Sequence, residues 1–206
     1  MEINIISKDV KTFDLSMFNE YVVDESEFYQ EAGKQHYKLL ADLSHFFQGS
    51  DIFDIGTHYG SSALALSHNP ANKVMTFDIA DDLTKFGLIH NTKKKYYDAP
   101  NIEFHMADLF NPNTRKFFEE KLLASPLIMI DVDPHNGLME WDIYSYFKSV
   151  NYQGILLFDD VHYFQPMREN FWNKVDDKYK VDLTSLGHFS GTGLVIFNPN
   201  IKINIS

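Results

Sequence analysis

Two runs of four large apolar side chains, Leu127-Ile128-Met129-Ile130 and Ile155-Leu156-Leu157-Phe158, end abruptly in carboxylates: the first in Asp131-Val132-Asp133, the second in Asp159-Asp160. So short a run without a polar position reads as a strand covered on both faces, and such strands belong to parallel sheets sandwiched between helices. The acids then fall at the carboxyl ends of the strands, where open α/β sheets place their ligands. Taken singly, each acid serves equally well as a cap for the helix that follows. As a set, clustered carboxylates repel one another unless a cation or a proton lies among them, and hard oxygen donors favour Mg²⁺, Mn²⁺ or Ca²⁺.

The rest of the chain repeats this frame. Strand-like runs at 52–55, 74–77 and 102–104 precede those at 127–130 and 155–158, each separated from the next by enough residues for a helix, which predicts βαβ crossovers. Residues 27–48 carry Tyr37, Leu40, Leu43 and Phe47 at helical spacing before Gly49-Ser50. Pro166 suits the first turn of a helix containing Met167, Phe171 and Trp172. Two last strands, 180–186 and 194–197, flank the glycine-rich stretch 187–193 and are predicted to pair antiparallel, with a mobile polar tail after Pro199. The expected fold is α/β and Rossmann-like: a doubly wound seven-stranded sheet, mostly parallel with an antiparallel last strand, and helices on both faces. One domain over 1–206 is expected, with 1–48 as an amino-terminal helical or lid segment and 49–198 as the core.

The first strand carries a second signal. Asp54-Ile55-Gly56-Thr57-His58-Tyr59-Gly60-Ser61-Ser62 reads as a strand end, a tight turn with two glycines and a helix start. Such a turn admits a ligand close to the backbone, and the helix start offers unpaired N–H groups. Asp78, at the end of the second strand, can accept hydrogen bonds from both hydroxyls of a ribose, and Asp108 lies just past the third strand, within reach of an adenine amine. The dinucleotide fingerprint needs a glycine where His58 stands, which disfavours NAD and favours a smaller adenosine cofactor without phosphates.

Composition removes other classes. The chain has no cysteine, so any metal must use oxygen or imidazole, and its net charge of −11 opposes a phosphate-backbone binder. Lys93-Lys94-Lys95 is its only basic run and reads as a solvated helix end. No long uncharged apolar stretch or signal-like segment is present, so a soluble protein of the cytoplasm is expected.

With Asp54-Ile55-Gly56-Thr57-His58-Tyr59-Gly60, the acid at Asp78 and the apparent antiparallel seventh strand, the chain resembles the class I S-adenosylmethionine-dependent methyltransferases over about residues 30–198. Ile130-Asp131-Val132-Asp133 and Phe158-Asp159-Asp160 resemble the metal-dependent O-methyltransferases, both the catechol type and especially the macrocin and aminocoumarin sugar type. The resemblance implies Mg²⁺ or another divalent cation on Asp131, Asp159 and Asp160. It implies S-adenosylmethionine held by Gly33, Asp54, Gly56, Thr57, Tyr59, Gly60, Ser61, Ser62, Asp78 and Asp108. Residues 21–27 would form a lid, with Glu31 and Gly33 near the methionine end. The resemblance implies Asp133 as general base, since sugar-modifying members use an acid two residues beyond the first ligand; the lysine of catechol-type enzymes is missing, and His135 lies within reach as a competing base. Alternate residues of an extended segment share a face, and this favours Asp133. His162 is the other histidine near the site, whereas His36, His45, His68, His90, His105 and His188 read as structural or solvated. Tyr21, Phe28, Tyr29, Trp141, Tyr144, Tyr163 and Phe164 fall in segments able to form a flat wall for a ring-shaped acceptor. The expected activity is methyl transfer to a hydroxyl of a sugar-containing or aromatic small molecule, the alternative being an inactive cofactor-binding module that serves a protein partner. Neither nucleic acid nor membrane is an expected partner; a second copy of the chain in a homodimer is.

Overall fold

The five apolar runs form the parallel part of one sheet. In the computed structural model, which describes residues 1–23, 27–87, 94–187 and 189–206, these strands are β2 (Asp51–Ile55), β3 (Lys73–Asp78), β4 (Ile102–Met106), β5 (Leu127–Ile130) and β6 (Ile155–Phe158). They lie in the order β4-β3-β2-β5-β6, so the chain builds outward from β2 to β4 and then returns to β2's other side. That reversal opens a crevice between the ends of β2 and β5, the place where doubly wound sheets bind ligands. Beyond β6, β8 (Gly193–Ile196) runs antiparallel, and β7 (Lys180–Asp182) pairs antiparallel on its outer side. The seven-stranded sheet has the expected form.

Every residue of β5 and β6 is buried, and alternation divides them between two cores. Leu127, Met129, Ile155 and Leu157 pack on one side with Leu39, Leu40 and Leu43 of α2 (Glu31–Ser44) and with α3 (Ser61–Leu66). Ile128, Ile130, Leu156 and Phe158 face the other side, among Leu122 of α5 (Pro112–Ala124), Ile143 and Phe147 of α6 (Leu138–Ser149) and Met167 of α7 (Gln165–Asn170). The helix starts follow local chemistry: the Asn111 side chain accepts from the Asn113 N–H ahead of Pro112, and Pro166 occupies the first turn of α7. No described helix is long and apolar enough to cross a membrane.

Two expectations fail. The residues after Pro199 are not a mobile tail, because β9 (Lys202–Ile205) pairs in parallel with β1 (Glu2–Ile5), Ile3 opposite Ile203, in a separate two-stranded sheet. Both segments alternate apolar and polar residues, but each is only four residues long, and the partner that makes sense of it lies at the other end of the chain. The strand expected over 180–186 also stops at Asp182, since the N–H groups of Leu186 and Gly187 turn back to the Leu183 carbonyl.

Ile3 and Ile5 are fully buried in the α2 and α3 core, so the terminal pair belongs to the folded unit. Ile3→Ala should cost about 2–5 kcal/mol in urea unfolding with an unchanged m-value. A loss below about 0.5 kcal/mol, the range of a surface substitution, would show the pair to be peripheral.

Candidate functional site

The turn after β2 is shaped as much by its neighbours as by any ligand. Gly56 has φ +99°, and a Cβ there would stand 1.7 Å from the Asp131 carbonyl oxygen; Gly60 has φ +80°, and a Cβ would meet the Tyr96 ring at 2.2 Å. Any other residue would push the ends of β2 and β5 apart or displace a buried ring. The His58 N–H donates to Asp78 Oδ2 at 2.9 Å. A carboxylate therefore occupies a donor that a phosphate would need, which agrees with a phosphate-free ligand.

A cavity of about 440 Å³ opens above the turn, across the carboxyl ends of β2 to β5. Gly56, His58, Asp78, Ile79, Ala107, Asp108 and Phe110 line it, as do Asp131, Asp133 and His135. Of the cofactor residues expected from the sequence, Gly56, Asp78 and Asp108 reach this cavity. Asp54, Thr57, Ser61 and Ser62 are buried beneath it: Thr76 Oγ1 donates to Asp54 Oδ2 at 2.6 Å and lies 2.6 Å from Thr57 Oγ1. Tyr59 stacks on His58, with centroids 3.7 Å apart, and Gly33 lies in the first turn of α2. Residues 24–26 of the expected lid, His90, His188 and Lys93 fall outside the described residues.

The acids at the strand ends do not act as one group. Asp131, His135 and Asp160 bring ligand atoms within 4.8 Å of one another, a donor set that fits a divalent cation. His135 Nδ1 is 3.9 Å from Asp131 Oδ1 and 3.6 Å from Asp160 Oδ2, while its Nε2 is 3.2 Å from Asp133 Oδ1. Asp159 instead lies 3.7 Å from His36 Nε2 on α2, and His36 Nδ1 is 3.1 Å from Thr192 Oγ1, all three residues being buried. Both His135 (φ +50°) and Asp160 (φ +58°) hold left-handed backbone that non-glycine residues seldom adopt.

Burial raises the Asp131 carboxyl well above the usual carboxylate range, and the charges of Asp159, Asp160, Asp54 and Asp133 push it further. A proton or a cation relieves this. The carboxylate still keeps about a third of its surface, 36%, open to the cavity. Glu140, buried in the first turn of α6, senses the charges of His135 and Asp160, and burial raises it too; nothing in its spacing marks it in the sequence. The cavity residues Ile79 and Lys85 carry no mark in the sequence either; in the structure Ile79, directly after Asp78, is 77% exposed. His162 is 2.6 Å from Asp182 and so has a partner of its own. Of the aromatic wall, Phe28 and Tyr144 are core, Tyr163 and Phe164 are exposed, and only Phe164 lies parallel to the His135 ring, at 6.4 Å.

No family model and no curated protein matches the chain. Solved structures do match. Cofactor-bound Rv0187 from MTB superposes with a TM-score of 0.54 at 14% identity, covering 84% of each chain. A "putative caffeoyl-CoA O-methyltransferase" from Staphylococcus aureus gives 0.55 at 14% identity, covering 90% of this chain and 93% of its own. The SAH-bound methyltransferase PaMTH1 from Podospora anserina gives 0.51 at 13% identity over 78% and 76%. At these identities what is shared is the fold: a Rossmann-like sheet of seven strands with its antiparallel pair.

Burial raises Asp54 from the ordinary 3.8 to about 7, against the opposing hydrogen bonds of Thr76 and Ser62. A carboxyl whose folded pKa is raised adds stability that is complete below its ordinary pKa and is lost as pH climbs through the folded value. The window therefore runs from about pH 4 to about pH 7. Asp54→Asn mimics the protonated form and still accepts from Thr76, so its stability relative to the parent should improve by about 2–3 kcal/mol between pH 5 and pH 8. Denaturant curves at the two pH values would refute this by shifting in parallel.

Proposed function

We propose that this chain is an S-adenosylmethionine-dependent methyltransferase that methylates a hydroxyl of a small molecule with the help of a divalent cation. The observation that carries the reading is a single cavity whose lining combines two kinds of chemistry. Apolar Ile79, Ala107 and Phe110 occur with Asp78 and Asp108, side chains that suit a flat base and its ribose; Asp131, Asp133 and His135 suit cationic and hydroxylic groups. The likeness in fold to the SAH-bound PaMTH1 and to the Staphylococcus aureus protein supports the same class.

In this reading Asp78 accepts hydrogen bonds from the two ribose hydroxyls, and the one it also accepts from the His58 N–H fixes its direction. Asp131 and Asp160 supply the carboxylates for the cation. When bound, such an ion lowers the pKa of a coordinated hydroxyl and orients it. The residues of the chain then hold the acceptor oxygen in line with the methyl–sulfur bond, and the hydroxyl proton leaves through a neighbouring base, for which Asp133 and His135 stand closest. An acidic site also complements the positive sulfonium of the methyl donor, whereas the net charge of −11 opposes a nucleic-acid acceptor.

S-adenosylhomocysteine should raise the melting temperature, with a further rise in the presence of a divalent cation, because a ligand that binds only the native state stabilises it by mass action. Asp78→Ala removes a charged acceptor of two hydrogen bonds and should weaken calorimetric affinity by about 1.5–3 kcal/mol, roughly 10- to 150-fold. Unchanged affinity would refute the ribose role. Stronger stabilisation by NAD than by S-adenosylhomocysteine would replace the reading with a dinucleotide one, and binding without turnover on any hydroxylated acceptor would leave a cofactor-binding module.

A further inference from the structure

We infer that His135 is a ligand of the divalent cation rather than the general base, and that it tunes the site toward Mn²⁺ and Co²⁺ over Mg²⁺, with Asp133 positioning the ring. The inference rests on the metal-dependent reading above. Both ring nitrogens of His135 face carboxylate oxygens, an arrangement that suits a ligand held among acids better than a base directed at a substrate. Nδ1 faces Asp131 Oδ1 at 3.9 Å and Asp160 Oδ2 at 3.6 Å, and Nε2 faces Asp133 Oδ1 at 3.2 Å. The two longer separations exceed hydrogen-bond distance. They do suit neighbouring donors on one ion, because metal–ligand bonds of about 2.0–2.2 Å place such donors about 3–3.6 Å apart and small side-chain adjustments cover the difference.

The other side of the ring has the matching partner. A histidine that ligates a metal through one nitrogen usually gives its second N–H to a carboxylate, which fixes tautomer and ring orientation. Asp133 stands where that carboxylate belongs, 3.2 Å from Nε2, with a side chain 94% exposed. Asp159 leaves the third place open, since it lies in the buried contact with His36 on α2. One imidazole and two carboxylates form a mixed donor set. Mg²⁺ prefers oxygen alone, whereas a nitrogen donor raises affinity along the series from Mn²⁺ to Co²⁺.

The test uses the chelator-treated full chain, with Mn²⁺ binding read by electron paramagnetic resonance, Mg²⁺ by competition against it, and Co²⁺ by visible absorption. S-adenosylhomocysteine binding is measured on the same samples. Mn²⁺ should bind at least about tenfold more tightly than Mg²⁺, and His135→Gln, which offers an oxygen in place of the nitrogen, should erase that preference and alter the Co²⁺ spectrum. Asp133→Asn should weaken Mn²⁺ by roughly 10- to 100-fold and shift the Co²⁺ bands, with recovery in Asp133→Glu. Preference that survives in His135→Gln, or equal affinities for Mn²⁺ and Mg²⁺, overturns the assignment while leaving a metal-dependent enzyme. Failure of every divalent ion to bind also overturns it; S-adenosylhomocysteine binding retained in that case would show that the metal part of the reading falls and the cofactor part stands.

Discussion

The constraint on which the site depends is the register between β5 and β6. Leu127 lies opposite Ile155 and Ile130 opposite Phe158, so Asp131 and Asp159 must leave the sheet side by side. The Asp131 N–H is held by the Ile55 carbonyl at 2.9 Å and the Asp159 N–H by the Ile130 carbonyl at 3.2 Å. Because every residue of both strands is buried, separating the acids would mean shearing the core. The backbone fixes the charges close together in a setting of reduced dielectric, and only the directions of the side chains remain adjustable. Asp159 takes one direction, toward α2, and Asp160, in left-handed backbone, takes another, toward His135.

The turn that would receive a cofactor belongs to the same piece of construction. Gly56 is required because the Asp131 carbonyl fills the space where its side chain would sit, so the glycine serves the junction of β2 and β5 before it serves any ligand. One consequence is that Asp131 and Asp78 are not independently adjustable. Whatever moves the end of β5, and with it Asp131, presses on the turn whose next N–H but one, that of His58, anchors Asp78. The acids around Asp131 and the carboxylate of Asp78 thus share one junction, so their separation is set by the backbone.

How much of this the sequence disclosed depends on whether the backbone is regular. β5 and β6 were legible because unbroken apolar runs have few alternatives, and the places of Asp78 and Asp108 because one ends a strand and the other lies two residues past one. β1 and β9 were not, since four-residue segments make sense only through a partner some 200 residues away, as Asn4 and Asn204 show by their side-chain hydrogen bond. At the acids the difficulty is sharper. Asp159 and Asp160 look alike on paper, yet Asp160 takes left-handed backbone toward His135 while Asp159 faces His36, a difference that the pair of letters does not carry. Asp133 is favoured over His135 in the sequence because extended geometry need not continue through Pro134; at His135, with φ +50°, it does not, and the ring lies among the carboxylates nonetheless.

Asp159 thus has a part that its neighbour in sequence lacks. It sits between His36 and the acidic group, while His36 reaches Thr192 just ahead of β8, so helix α2, the end of β6 and the approach to β8 meet at one buried polar contact. Buried polar groups are costly unless partnered, and this one lies where a purely apolar contact would have sufficed to pack the helix. Asp159 also helps raise the proton affinity of Asp131, after the larger effect of burial. A carboxylate that faces a histidine and still acts through its charge on a neighbouring acid favours a proton or a cation at that acid. The crowding that the strand register imposes becomes in this way a field directed at the open side of Asp131.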